Sequence, residues 1–170
     1  MSPKEYVDEA KRCMCDLGFV GLKLHPLWHA IAPNKPRADI VFHTALELGV
    51  PVIVHTGLGA PNALPALCIP PARKYPRLPI ILAHAGYAIY TATAIVAAEV
   101  CPNIYLEPSW CGEHSVRGMI HRFGARRVLF GSDHVSNLPV ELAKYRSSDL
   151  SDEERRWCLG ETARTLFHLD

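Results

Sequence analysis

The sequence predicts an α/β fold: a partial TIM-like (β/α) barrel of five consecutive parallel βα units, in a single domain over residues 1–170. Three observations predict it. Short apolar strands alternate with helical patterns from end to end. The strand ends fall at residues 25, 55, 84, 107 and 133, intervals that fit one strand plus one crossover helix. The strands are near-continuous apolar runs, as parallel strands covered on both faces are.

In chain order, a first helix is expected over Pro3 to Leu17, where Val7, Ala10, Met14 and Leu17 repeat at helical spacing and Gly18 stops it. The strand Phe19 to Leu24 ends at His25-Pro26, before a loop rich in Pro and Asn. Pro26 and that loop argue against His25 and His29 sharing a helical face. A helix from about Arg37 to Leu48 carries Ile40, Val41, Thr44, Ala45 and Leu48 on one face, with Gly49 as its cap. Strand Pro51 to Val54 ends at His55-Thr56-Gly57. A short helix near Pro71 to Tyr75 follows. Strand Pro79 to Ala83 ends at His84-Ala85-Gly86, ahead of an Ala-rich helix over Ile89 to Val100. Strand Ile104 to Leu106 ends at Glu107-Pro108-Ser109, ahead of a helix over Glu113 to Phe123. Strand Arg127 to Phe130 ends at Gly131-Ser132-Asp133. The last helix opens with the capping box Ser151-Asp152-Glu153-Glu154 and runs to about Phe167. No element is predicted between Asp133 and Ser151.

Composition narrows the function classes. A chain of 170 residues builds one sizeable core. A net charge of +1 favours neither nucleic acid nor an anionic membrane. No apolar run approaches a bilayer span, and the charged start from Met1 to Lys11 has no signal-peptide core. Six cysteines lie at 13, 15, 68, 101, 111 and 158 with no C-x-x-C pair, so they read as reduced thiols of a cytoplasmic protein. No glycine-rich phosphate loop follows any strand, which leaves a nucleotide-binding sheet without support.

Each strand ends in a polar or titratable residue: His25, His55, His84, Glu107 and Asp133. A lone histidine is usually just hydrogen-bonded. Three histidines and two carboxylates at equivalent points of consecutive units mark the carboxyl strand ends, where barrel enzymes place their chemistry. Imidazoles and carboxylates also bind zinc, manganese and iron. Lys23 and His25 alternate onto the same strand face, where Lys23 is a candidate anchor for a substrate carboxylate and His25 a neighbouring contact or a third metal donor. A solvated strand-end lysine is the alternative. Trp110 is a candidate pocket wall, and Glu107 a candidate hydrogen-bond acceptor behind a ligand or catalytic histidine. His43, His114, His121 and His168 fall on helical segments and read as solvated.

The stretches Gly21 to Pro26, Val52 to Gly57, Ile81 to Gly86 and Leu129 to Asp133 resemble successive strands of the amidohydrolase superfamily. They are most similar to its aminocarboxymuconate semialdehyde decarboxylase-like branch. Leu159 to Phe167 resembles that branch's closing helix, with Thr162 where an Asn is usual. The resemblance implies a (β/α)8 barrel that hydrolyses amide or ester bonds, or decarboxylates a small carboxylate, at a divalent metal, zinc first, with manganese or iron as alternatives. It implies strands four to eight here, with Lys23 on the fourth. It makes His55 and Asp133 metal ligands, and His84 the group that orients or deprotonates metal-bound water, whose pKa near ~7 supplies hydroxide at neutral pH. Asp133 also shuttles protons.

One departure stands out. The family begins with a His-x-His strand, and no His-x-His occurs here. A whole barrel needs roughly 200–250 residues. The expectations are therefore a crippled or partial site, weak metal binding and negligible turnover unless another segment supplies the missing strands. The competing expectation is a non-catalytic barrel fragment or oligomeric scaffold. Open sheet edges, and an inner face expected to be built by Val52, Val54, Ile80, Leu82 and Leu129, predict a homodimer.

Overall fold

The computed structural model describes residues 2–169. Helix α1 (Pro3–Cys15) starts on a capping box in which the Ser2 hydroxyl accepts from Glu5 N–H and the Glu5 carboxylate accepts from Ser2 N–H. It ends two residues earlier than its periodicity suggests, and Leu17, beyond its end, is 52% exposed. Strand β1 (Leu22–Leu24) leads into α2 (Pro26–His29). That turn corrects the expectation of a plain loop: Pro26 takes the first helical position, where a missing N–H costs nothing, and His29 Nδ1 accepts from His25 N–H at 3.1 Å.

Helix α3 (Asp39–Leu48) ends on left-handed Gly49 and buries Val41, Phe42, Thr44 and Ala45. Next come β2 (Val52–His55), α4 (Ile69–Lys74), β3 (Ile80–Ala83), α5 (Thr91–Val100), β4 (Ile104–Glu107) and α6 (Glu113–Phe123). The four strands form one parallel sheet in the order β1-β2-β3-β4, so each crossover carries the chain to the next neighbour. The register pairs Leu24 with Val54, His55 with Ala83 and Ala83 with Glu107. The carboxyl ends of β2, β3 and β4 are thus level.

The segment predicted as a fifth strand makes a single parallel bridge, Val128 with Leu106, and Leu129 N–H donates to Leu106 O at 3.0 Å. The ladder stops there because Phe130 N–H turns to Cys158 O at 2.8 Å. Cys158 lies in a π-helical stretch, Trp157–Glu161, that interrupts the expected closing helix. That helix is divided into α8 (Asp152–Arg156), which carries the predicted Ser151–Glu154 capping box, and α9 (Thr162–Phe167). A helix that the sequence reading lacked, α7 (Leu138–Ser147), precedes them. Its buried residues are Glu141 and Tyr145 while Leu138 and Val140 are exposed, so apolar periodicity carries no signal for it.

The assignment of strand faces also needs correction. Val52, Val54, Ile80 and Leu82 are fully buried against Phe42, Ala45, Ala94 and Ala97, on the side covered by helices. The concave face is built from the alternate residues Ile53, Ile81, Tyr105 and Leu129, over which Ala163, Leu166 and Phe167 of the last helix pack. Strand alternation dictates this: residues two apart share a face, so His55 goes with Ile53 and Glu107 with Tyr105.

Candidate active site

The carboxyl ends of the strands bound an open crevice of about 260 Å³ on the concave side, lined among others by Lys23, Ile53, Ala83, His84, Glu107 and Asp133. Lys23 reaches it from the middle of β1. It remains accessible, yet the surrounding wall displaces water and lowers its ammonium pKa, against the pull of Glu107 and Asp133.

His84 is the most enclosed of the titratable groups that line the crevice, 3% exposed. Strand alternation would send it toward the helices with Leu82. It turns back because residues 84–88 all have positive φ, from His84 at 65° through Ala85 at 39° and Tyr87 at 56° to Ala88 at 59°. Thr56 braces this turn, its hydroxyl donating to Ala83 O at 2.7 Å and accepting from Gly86 N–H at 3.0 Å. Gly57 lets the two loops touch: at φ 110°, a Cβ there would lie 2.4 Å from Tyr87 Cβ.

Behind His84 stands a hydrogen-bonded chain. The Ser109 hydroxyl donates to Glu107 Oε2 at 3.0 Å and so presents a lone pair to His84 Nδ1 at 2.8 Å. This arrangement puts the imidazole proton on Nδ1 and leaves the Nε2 lone pair facing Asp133 Oδ1 at 3.8 Å. Burial pushes His84 down to about 4, opposed by the Asp133 carboxylate and reinforced by its basic neighbours, so the ring is neutral at neutral pH. Glu107 also accepts from His84 N–H at 3.0 Å and Ser109 N–H at 2.8 Å. Burial raises its pKa against those three bonds. Gly131 is what lets the carboxylate lie so close: a Cβ there would meet Glu107 Oε1 at 2.6 Å.

His55 presents the edge or face of its ring to His84, with centroids 4.9 Å apart. On its other side His25 stacks at 4.1 Å, and Trp28 stacks on His25 at 4.4 Å. His55 Nε2 lies 2.8 Å from Leu58 O; donating there leaves the Nδ1 lone pair free. Burial lowers the pKa of both His25 and His55. Asp133, with φ 60°, receives the Trp110 indole N–H on Oδ2 at 2.9 Å. Tyr87 stacks on Trp110 at 5.7 Å.

Of the residues singled out from the sequence, Lys23, His84, Glu107 and Asp133 line the crevice, while His55 meets His84, His25 stacks on His55 and Trp110 donates to Asp133. His43, His114, His121 and His168 are exposed, as expected of solvated residues. Sequence reasoning missed Ser109, whose only signal was its position two residues past Glu107. It also missed Glu141, which accepts from Trp110 N–H. As a metal site the donor set is incomplete. Among the described residues no group of three or more His, Cys, Asp or Glu side chains is arranged to hold an ion, whereas a zinc centre ordinarily uses three or four protein ligands.

Parallel βα units with histidines and a carboxylate at the carboxyl strand ends define the class, a TIM-like (β/α) scaffold with its polar cluster at that end of the sheet. The family model described as amidohydrolase matches residues 1–169, and the chain belongs to that family. Among solved structures it is similar to a dihydroxybenzoic acid decarboxylase from Polaromonas sp. JS666 with bound manganese, at 21% identity and TM-score 0.73, over 99% of this chain and 66% of that one. It is similar to 5-carboxyvanillate decarboxylase from Sphingomonas paucimobilis at 15% identity and TM-score 0.78, over 99% and 64%. A probable 2-pyrone-4,6-dicarboxylic acid hydrolase from Acinetobacter baumannii follows at 14% and 0.70, over 99% and 69%. The chain thus spans about two thirds of the length of these structures. A comparison with curated proteins finds no match. No helix among the described residues is long and apolar enough to cross a membrane.

Proposed function

We propose that these residues form the His55–His84–Asp133 half of a cytosolic, metal-dependent decarboxylase or hydrolase site acting on a small carboxylate. One observation carries the reading: His84 Nε2 meets Asp133 Oδ1 at 3.8 Å beside His55, all at the carboxyl strand ends. His55 Nδ1 and the Asp133 carboxylate would be two donors to a divalent ion, manganese or zinc. Such an ion supplies Lewis-acid chemistry. The remaining donors would come from a His-x-His segment, within a longer polypeptide or from a partner. His84 accepts and returns a proton through Nε2, with Ser109 and Glu107 fixing its tautomer. Lys23, on the neighbouring strand, holds the substrate carboxylate, and Trp110 and His25 flank it. In this reading the Val128–Leu106 bridge marks the fifth of five βα units, strands four to eight of a barrel.

Metal content and turnover test this directly. The 170-residue chain should retain well under one equivalent of manganese or zinc after dialysis and show negligible turnover. Both should rise when a segment bearing His-x-His is supplied. One equivalent held by the chain alone and lost in His55→Ala, or turnover by the chain alone that vanishes in Asp133→Asn, would show the ligand set to be misassigned.

The incomplete donor set also favours a second reading, a non-catalytic scaffold. It requires that no metal is recovered even with the added segment. In either reading we propose a homodimer, because β1 has a free edge and Phe19 and Val20 beside it are 55% and 41% exposed. Light scattering across a concentration series checks this, and a monomer at tens of micromolar would rule it out.

A further inference from the structure

Asp133 is poorly held by its own surroundings. Its side chain is 46% exposed and its backbone has φ 60°, a left-handed conformation that costs a non-glycine residue roughly 1–3 kcal/mol. Three hydrogen bonds restrain it, one of them a local turn in which His134 N–H donates to Ser132 O at 2.6 Å, and two of them from side chains. The Trp110 indole donates to its Oδ2 at 2.9 Å, and the Asn137 side-chain amide donates to the carbonyl of the preceding residue, Ser132, at 3.2 Å. The two side-chain restraints lead to one atom. Glu141 Oε1 accepts from Trp110 N–H at 2.9 Å and from Asn137 Nδ2 at 3.0 Å. Trp110 is itself left-handed at φ 67°, so its backbone also needs a partner that fixes it.

Glu141 is an unexpected residue for this position. It is 1% exposed on α7, and Lys144 Nζ sits 2.7 Å from each of its oxygens. A buried ion pair is a weak source of stability, and well-packed apolar side chains of similar volume commonly serve as well or better. A carboxylate here is better explained by what its oxygens hold.

We propose that Glu141 is a positioning residue for Asp133, acting through Trp110 and Asn137. The proposal rests on the functional reading of Asp133 given above. Lys144 fixes the carboxylate, and Oε1 then sets the backbone of Trp110 and the amide of Asn137. Those two set the direction of the Asp133 carboxylate and the path of its backbone. Substrate and metal are touched by Asp133, not by Glu141.

The test uses the full chain with ¹⁵N-labelled tryptophan. The Trp110 indole resonance is assigned by its disappearance in Trp110→Phe, and Asp133→Ala gives its position without the carboxylate. In Glu141→Ala the resonance should move to the position seen in Asp133→Ala. In Glu141→Gln, which keeps an oxygen acceptor, it should stay near that of the parent chain. A folded Glu141→Ala chain with an unmoved indole overturns the proposal. If Glu141→Ala does not fold, the volume-conserving pair Glu141→Leu with Lys144→Met is read the same way. Once the site is completed with a His-x-His segment, kcat should fall about 10–100-fold in Glu141→Ala with KM little changed, as for other residues that orient a ligand from behind. An unaltered kcat with a moved indole also overturns it. The indole readout needs neither metal nor turnover, so it decides the proposal even when the functional reading of the site fails.

Discussion

Two regions deliver residues to the crevice by different physical means. From β1 to β4 the backbone ladder does the placing: the register sets the ends of β2, β3 and β4 level, and His55 and Glu107 follow from strand parity. From Ala125 onward one bridge and the Phe130-to-Cys158 bond replace the ladder, and Asp133 is placed by side chains of Trp110, Asn137 and Glu141. A ladder tolerates many side chains on its surface. A side-chain network depends on each of its members.

The largest effect that sharpens this contrast is expected at two glycines. Gly57→Ala places a Cβ 2.4 Å from Tyr87 Cβ at φ 110°, where neither backbone can yield. The left-handed strain and the overpacking together should cost about 3 kcal/mol or more in urea unfolding. Gly131→Ala meets instead the Glu107 carboxylate, which can swing away. It should cost about 1–2 kcal/mol as the bonds to His84 N–H and Ser109 weaken. Equal losses at the two sites would erase the distinction.

Acid should act mainly on the ladder region. His84, His25 and His55 all have folded pKa values below the free value, by burial first. The stability tied to their neutral forms is complete above about pH 6.5 and is lost as pH falls. For His84 the loss continues to about pH 4, on the order of 2–3 kcal/mol in all. Glu107, shifted upward, acts in the opposite sense: its contribution is present below the ordinary carboxylate pKa and declines as pH rises. Urea midpoints between pH 7 and 4 should fall in the parent chain and fall less in His84→Gln. A parallel decline in both would assign the acid sensitivity elsewhere.

The smallest effect is expected at the last helix. Thr162 is 2% exposed and its hydroxyl donates to Ala125 O at 3.0 Å, tying α9 to the segment before the bridge. Thr162→Val keeps the shape and loses that bond, at about 1 kcal/mol. An unchanged midpoint would mean that packing alone holds the last helix.

What the sequence disclosed follows the same division. Strands, crossovers and the residues at strand ends were legible because parallel βα units leave a periodic record. The helix-facing side of Val52 and Val54 was legible too, by counting parity back from His55; on β3 the same count from His84 points Ile80 and Leu82 the wrong way, because the chain turns left-handed after Ala83. Asp133 was found as a strand end although its strand is one bridge long. Its supports were not found, because α7 buries a glutamate where periodicity looks for a leucine. Ser109 sits in a loop, where only the fold brings it to His84.

The run of positive φ at residues 84–88 has a stereochemical consequence. Here the chain winds in the mirror sense to every helix around it, while Ala85, Tyr87 and Ala88 carry the Cβ atoms that make such winding costly for L-amino acids. For a mirror-image residue that cost disappears, and the unfolded chain gains none of the freedom that glycine would add. The turn that aims His84 into the crevice is therefore a place where a D-alanine, introduced at Ala85 or Ala88 by chemical ligation, fits the backbone better than the natural enantiomer.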